Sequence, residues 1–214
     1  MKREATFRTV ERYYRQEHFD FFRPYQNPFY SVTFPLRLSA LKRFAEEHEV
    51  STYLSLCYFL TKAMQPLEDF RYRLREGRIV LYDQLDIGVT LPAPGGRFRF
   101  AYYAFEPDTE AFLGTAREKE RSWEEAPQKD RLLEESERRN YVYFTALPKV
   151  PFTSFTHAVG SRDRAEPQVA FGKFYRNGGD LWVPVGLQVN HIFVDGAALG
   201  SLAEAAQQLY DQPI

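Results

Sequence analysis

Gln188-Val189-Asn190-His191-Ile192-Phe193-Val194-Asp195-Gly196-Ala197-Ala198 is where this chain changes character. The run before it, Leu181 to Val189, reads as a strand launched by an Asn177-Gly178-Gly179-Asp180 hairpin turn. The run after it, residues 197 to 210, is amphipathic, with Leu199, Leu202, Ala206 and Leu209 on one helical face. Between them stand a polar pair, Asn190-His191, three apolar residues and Asp-Gly. His191 therefore sits where a rigid strand hands over to a loop, a place suited to exposing an imidazole. Asp195 precedes the helix and can cap its free N–H groups, while Gly196 permits a tight backbone there. Spacing alone leaves two readings open: a catalytic imidazole, or a buried hydrogen-bonded histidine beside a capping aspartate.

Working outward, residues 8 to 22 read as a short amphipathic helix with Val10, Tyr13, Tyr14 and Phe21 apolar, stopped by Pro24. Residues 29 to 37 alternate with strand period, and Pro35 within them argues for an edge or a bulge. Ser39 can cap a helix running to about His48, and residues 52 to 65 are apolar almost all round, predicting a buried helix ended by Pro66. Strands follow at 78 to 82, 86 to 91 and 98 to 105, with Pro94-Gly95-Gly96 turning between the last two. Residues 109 to 139 read as a charged, solvated helix, and strands return at 141 to 146, 152 to 159 and 168 to 175. Helices interspersed with hairpin-like strands predict an α/β fold of the α+β sandwich kind. Its core is a mixed, largely antiparallel sheet with helices packed on it, one domain over residues 1–214. A doubly wound nucleotide fold is disfavoured, because no Gly-x-Gly-x-x-Gly follows a strand and there is no phosphate loop.

The 28 basic and 29 acidic side chains leave a formal net charge of −1, so nothing draws the chain toward nucleic acid or an anionic membrane. Nineteen Phe and 14 Tyr suit strands and apolar pockets. The single cysteine, Cys57, lies in an apolar run and reads as a buried small side chain rather than a nucleophile. Met1 to Thr6 lacks the apolar core of a secretory signal, and no apolar run approaches the roughly 20 residues that span a bilayer. A cytoplasmic location is the resulting expectation.

Six blocks in order carry a family resemblance. The stretch from His191 to Gly196 resembles the His-x-x-x-Asp-Gly signature of chloramphenicol acetyltransferases. Tyr14 to Phe22 looks like the family's Arg-x-Glu-His-Phe segment, and Asp69 to Leu74 with Gly77 to Asp83 is similar to its Glu-Phe-Arg and Gly-x-x-x-x-x-Asp region. Thr145-Ala146-Leu147-Pro148, Phe152-Thr153-Ser154-Phe155 and Gly172-Lys173-Phe174-Tyr175 look like its Ser-Ala-x-Pro-Trp, Phe-x-Ser-Phe and Gly-Lys-Tyr blocks.

The resemblance implies the family's CoA-dependent acyltransferase fold. It also implies acetyl-CoA as co-substrate, no metal, a small-molecule alcohol such as chloramphenicol as acceptor, and a homotrimer with sites between subunits. Acetyl passes directly to a hydroxyl, with no acyl-enzyme. On this reading His191 is the general base. One ring nitrogen is held by a backbone carbonyl so that the other can take a proton. Asp195 pairs with Arg15 on the N-terminal segment, and a buried pair of this kind costs roughly 3–5 kcal/mol to break on one side. Thr145 stands where the family has its oxyanion-binding serine. Lys173 and Phe174 fall on the CoA side; Phe21, Phe22, Phe29 and Phe98 are candidates for the acceptor wall.

Departures accompany the match. Asn190 replaces the first of two tandem histidines, Ala170 a threonine that holds a water, Lys149 a tryptophan and Pro28 a pocket cysteine. Two rivals share the motif or the fold: a dihydrolipoyl-acyltransferase-like enzyme, and a diverged trimeric homologue that binds a ligand without turnover. Ala170 and Lys149 favour the second. An acetyl-CoA turnover assay separates binder from enzyme.

Overall fold

The computed structural model describes residues 6–125 and 139–214. Their elements run β1 (Phe7–Thr9), α1 (Gln16–Phe22), β2 (Phe29–Arg37), α2 (Ser39–Glu47), α3 (Thr52–Met64), β3 (Tyr72–Arg75) and β4 (Arg78–Tyr82). They continue with β5 (Asp86–Ala93), β6 (Arg97–Tyr103), α4 (Thr109–Glu125), β7 (Tyr141–Ala146), β8 (Gln168–Phe171), β9 (Tyr175–Asn177), β10 (Asp180–Asn190) and α5 (Gly196–Asp211). Seven strands form one sheet in the order β2-β10-β8-β7-β5-β6, with β9 also paired to β10. Only β5–β7 and β7–β8 are parallel, so the sheet is mixed and largely antiparallel.

β10 organises this sheet. Gly178 and Gly179, at φ +60° and +88°, supply the left-handed pair that a two-residue hairpin needs. The strand then runs eleven residues between β2 and β8. Because side chains alternate along a strand, the pairing register assigns every residue to one of two faces. Val183, Val185, Leu187 and Val189 join Val169, Phe171, Val142, Phe144, Ile87 and Val89 in the buried core. Helices α2, α3 and α5 lie on that side. Pro184, Gly186, Gln188 and Asn190 occupy the opposite face, with Gln168, Ala170, Tyr143 and Thr145 in register beside them.

The helices follow their sequence patterns. α3 buries nearly its whole circumference, is capped by Ser51 Oγ accepting from Leu54 N at 3.4 Å, and ends before Pro66. Cys57 within it is wholly buried, and burial pushes its thiol pKa up, away from the reactive thiolate. Pro35 lies on the edge strand β2, where a missing donor is tolerated.

Four expectations are corrected. Residues 8 to 22 are not one helix: Phe7–Thr9 pairs with β4 in a separate three-stranded sheet, and only Gln16–Phe22 is helical. Ser39 does not cap α2. Its hydroxyl reaches Asp180 Oδ1 at 3.0 Å and accepts from Leu181 N at 2.8 Å, tying the helix to the start of β10. Residues 168 to 175 divide at Gly172, where the Gly172 N–H turns to Pro184 O at 3.0 Å.

Residues 152 to 159 form no strand. Their aromatic alternation is loop packing: Phe152 and Phe155 rest on Gly172 and Gly186, which leave room for them. A Cβ on Gly172 would lie 2.6 Å from Pro184 and 2.8 Å from Phe152. The expected helix over 109 to 139 is observed to Glu125; residues 126–138 lie outside the described residues.

Candidate active site

His191 follows the last residue of β10, its N–H bound to Pro28 O at 2.8 Å. Phe22 of α1 stacks on its ring at 4.2 Å and 18°, and Tyr30 of β2 packs against it at 4.6 Å. His18, four residues before Phe22 on the same helix, donates Nε2–H to the His191 carbonyl at 2.7 Å, which fixes the His18 tautomer. The backbone and one face of the His191 ring are thus held by α1. Its Nδ1 is buried with no hydrogen-bond partner. Among the described residues no backbone carbonyl meets that nitrogen, and the residue's own carbonyl is occupied by His18. Nε2 is the nitrogen left for a reacting hydroxyl.

Asp195 caps α5. One carboxylate oxygen accepts from Ala198 N at 3.0 Å, and the other from Arg15 Nη1 at 2.6 Å. The Ala198 N–H, and after it the Arg15 charge, hold this carboxyl below the usual aspartate range. Arg15 does more than pair with Asp195. Its Nη2 meets Asp69 Oδ1 at 2.6 Å and also donates to Phe193 O, while Tyr14 OH donates to the same Asp69 oxygen at 2.7 Å. The side chains of Arg15 and Asp195 are 18% and 33% exposed, so this is a partly solvated hub rather than the buried pair expected. It joins α1, the segment before β3, and the turn between β10 and α5.

On the other sheet face the described residues line several cavities. One of about 810 Å³ is walled by Lys173, Phe174, Phe152, Thr33 and Pro184. A second, of about 270 Å³, holds Thr145 with Phe100, Tyr143, His157 and Gln168. A third, of about 390 Å³, holds Phe29 with Arg139 and Glu166, and shares Tyr143, Arg164 and Gln168 with the second. His191 is in the wall of none of these. Thr145 lies in register with Ala170 and Gly186 on this face, whereas His191 packs on Tyr30, the partner of Val189 on the core face, so the two are on opposite sides of the sheet. The four phenylalanines are also divided: Phe22 is at His191, Phe29 in the third cavity, and Phe21 and Phe98 are each 60% exposed.

The family profile described as "Chloramphenicol acetyltransferase" matches residues 5–207. The chain belongs to the chloramphenicol acetyltransferase family. A chloramphenicol acetyltransferase of Proteus mirabilis is 25% identical over 202 residues, covering 92% of this chain and 91% of the relative. Chloramphenicol acetyltransferase 3 of Escherichia coli is 23% identical over 204 residues, 94% of each chain. A solved chloramphenicol acetyltransferase superposes with a TM-score of 0.86 at 25% identity, over 96% of this chain and 100% of that one. The dihydrolipoamide acetyltransferase of Azotobacter vinelandii shares the fold, with a TM-score of 0.64 at 16% identity over 92% and 87% of the two chains. The protein is an acyltransferase of the chloramphenicol acetyltransferase family.

Within that family frame, several residues here escaped sequence reasoning. Asp69 was visible only as part of a matching block. His18 had a usable signal, since it lies three residues after Arg15 and so shares its side of a helix. Asn190, the replacement for a tandem histidine, gives both amide hydrogens to the Arg162 and Arg164 carbonyls at 3.0 Å and accepts from Ile192 N at 3.0 Å. It pins the loop above the third cavity. His157 had no local signal at all.

Proposed function

We propose that this chain transfers acetyl from acetyl-CoA to the hydroxyl of a small alcohol, with His191 as base and chloramphenicol the first acceptor to test. One observation supports it above the rest: a half-buried imidazole, clamped from α1 by Phe22 and His18, stands beside an Arg15–Asp195 contact in the His-x-x-x-Asp-Gly order. His191 Nε2 takes the acceptor's proton as its oxygen attacks the thioester carbonyl. The tetrahedral oxyanion accepts from the Thr145 hydroxyl. Collapse breaks the carbon–sulfur bond, and the departing CoA thiolate recovers the proton from the imidazolium.

In one chain these groups sit on opposite sheet faces, so the reading requires a second copy. The base of one subunit faces the Thr145 cavity of its neighbour, in keeping with the trimer that the family resemblance implies. The groove of Lys173 and Phe174 is the proposed CoA channel, an apolar trough with a cation for an anionic ligand. Release of free CoA thiol, followed with and without chloramphenicol, tests the reading. Drug-dependent release that is lost in His191→Ala supports it. Turnover of another alcohol but not of the drug keeps the reaction and removes chloramphenicol as the acceptor.

A further inference from the structure

Thr145 shares its cavity with His157, a side chain that acetyl transfer as proposed does not use. His157 is firmly placed. Its backbone N–H donates to Gln188 Oε1 at 2.9 Å, and the buried Gln188 is itself fixed by Gln168 Oε1 at 3.1 Å and Ser31 Oγ at 3.2 Å. Phe155 meets the ring edge-on at 4.8 Å. Yet the ring's Nε2 is shielded from solvent with no partner among the described residues. Burial lowers the imidazole pKa to about 4, so the ring is neutral at physiological pH, with one donor and one acceptor nitrogen. A buried polar atom left unpaired destabilises the free protein, and a ligand group that satisfies it is favoured over one that does not. Phe100, Tyr102 and Tyr143 give the same 270 Å³ an aromatic side, with Arg164 and Gln168 as further polar lining, room for one ring and a short chain.

We infer that His157 is a specificity-determining residue that hydrogen-bonds a ring substituent of the acceptor, and that the acceptor class is small alcohols whose aromatic ring carries a hydroxyl. The inference rests on the proposed acetyl transfer, because it takes the Thr145 cavity as the side on which the acceptor lies. It adds what the acceptor must offer beyond the reacting hydroxyl. Phe100, Tyr102 and Tyr143 enclose the ring, and His157 selects its substituent.

The test uses matched pairs: 4-hydroxyphenyl-alkanols with two to four methylenes against the corresponding phenylalkanols, assayed by release of CoA thiol. The intact protein is expected to prefer the hydroxyphenyl member by about tenfold or more at one chain length, chiefly through KM. In His157→Leu that preference should fall to about one. His157→Gln, which keeps a hydrogen-bonding end, should retain part of it and so separate the lost bond from lost packing. Turnover without preference at any length, or a preference that survives His157→Leu, overturns the inference. Ring ¹⁵N chemical shifts of His157 give a readout independent of activity. A shift on adding the hydroxyphenyl alcohols, but not the phenyl ones, supports the site even if no acetyl is transferred, in which case the reaction alone falls.

Discussion

Arg15 and Asp195 meet at 2.6 Å across 180 residues of chain, and the same guanidinium holds Asp69 at 2.6 Å. One cation thus ties the N-terminal segment to the loop behind the base. Arg15→Ala removes both contacts and strands two partly buried carboxylates, whereas Asp69→Asn or Asp195→Asn removes one each. Thermal unfolding should therefore rank Arg15→Ala as the most destabilising of the three. A double-mutant cycle between Arg15 and Asp195 should show coupling of about 1–3 kcal/mol, below the value for a fully buried pair because both side chains are partly solvated. Independent effects would mean the contact does not form in solution.

His157 and Asp195 each contribute to the acid side of stability, in different windows. His157 has its pKa lowered to about 4, against about 6.5 when unfolded. Between those values the unfolded chain binds a proton that the folded chain refuses. Stability should fall as pH drops from about 6.5 to about 4, and this contribution should level off below. Asp195 is depressed below the usual aspartate range, so its contribution is complete above about pH 4 and is lost only as pH falls through its folded value. Melting temperatures across pH 7 to 4.5 should drop less steeply in His157→Leu than in the unaltered protein, while Asp195→Asn changes the slope only at the acid end.

The division of His191 and Thr145 between sheet faces makes an assembly prediction. His191→Ala alone should lower turnover by about 10²–10⁴-fold, and Thr145→Val by about 10²–10³-fold, with Thr145→Ser retained. Mixed oligomers of the two inactive variants should regain activity. Some interfaces would then join an intact base from one chain to an intact hydroxyl from another. No recovery on mixing, with mixed oligomers confirmed by mass, would place both groups of a site in one subunit.

Gly172 and Gly114 form a contrasting pair. A Cβ at Gly172 would press on Pro184 at 2.6 Å and on Phe152 at 2.8 Å, whereas at Gly114, inside α4, nothing lies within 4 Å. Gly172→Ala should destabilise by about 1–3 kcal/mol and loosen the Phe152–His157 loop, and Gly114→Ala should stabilise by about 0.5–1 kcal/mol. Chemical denaturation of both variants checks the sign of each.

Much of this architecture could be read from local pattern. Strand alternation at β2, the all-round apolar run of α3 and the Gly178-Gly179 turn each announce themselves within a dozen residues. The failures came where the deciding partner is distant in sequence. Phe7–Thr9 is a strand because residues 80 to 82 offer it a ladder. Residues 152 to 157 alternate like a strand, but their contacts are two glycines and the Gln188 side chain, which no window around them contains. The site divides in the same way. His191 and Asp195 share one motif, and Arg15 followed only from the family match. His157 depends on burial, a property of the finished fold, and a lone histidine in a loop gives no sign of it.

β10 holds Gln188 and Asn190 to one face and turns His191 toward Tyr30 and α1 on the other. A single residue inserted upstream in that strand would exchange the two sets at once. Substitution at 188 or 190 is another matter. At 190 it would release Arg162 and Arg164 and also the Ile192 N–H of the turn that carries the base; at 188 it would remodel the loop carrying His157 and leave the contacts of Phe22, Tyr30 and His18 with His191 in place. In a lineage of such proteins, the choice of acceptor could therefore drift at position 188 while the proton-handling apparatus around His191 is inherited unchanged.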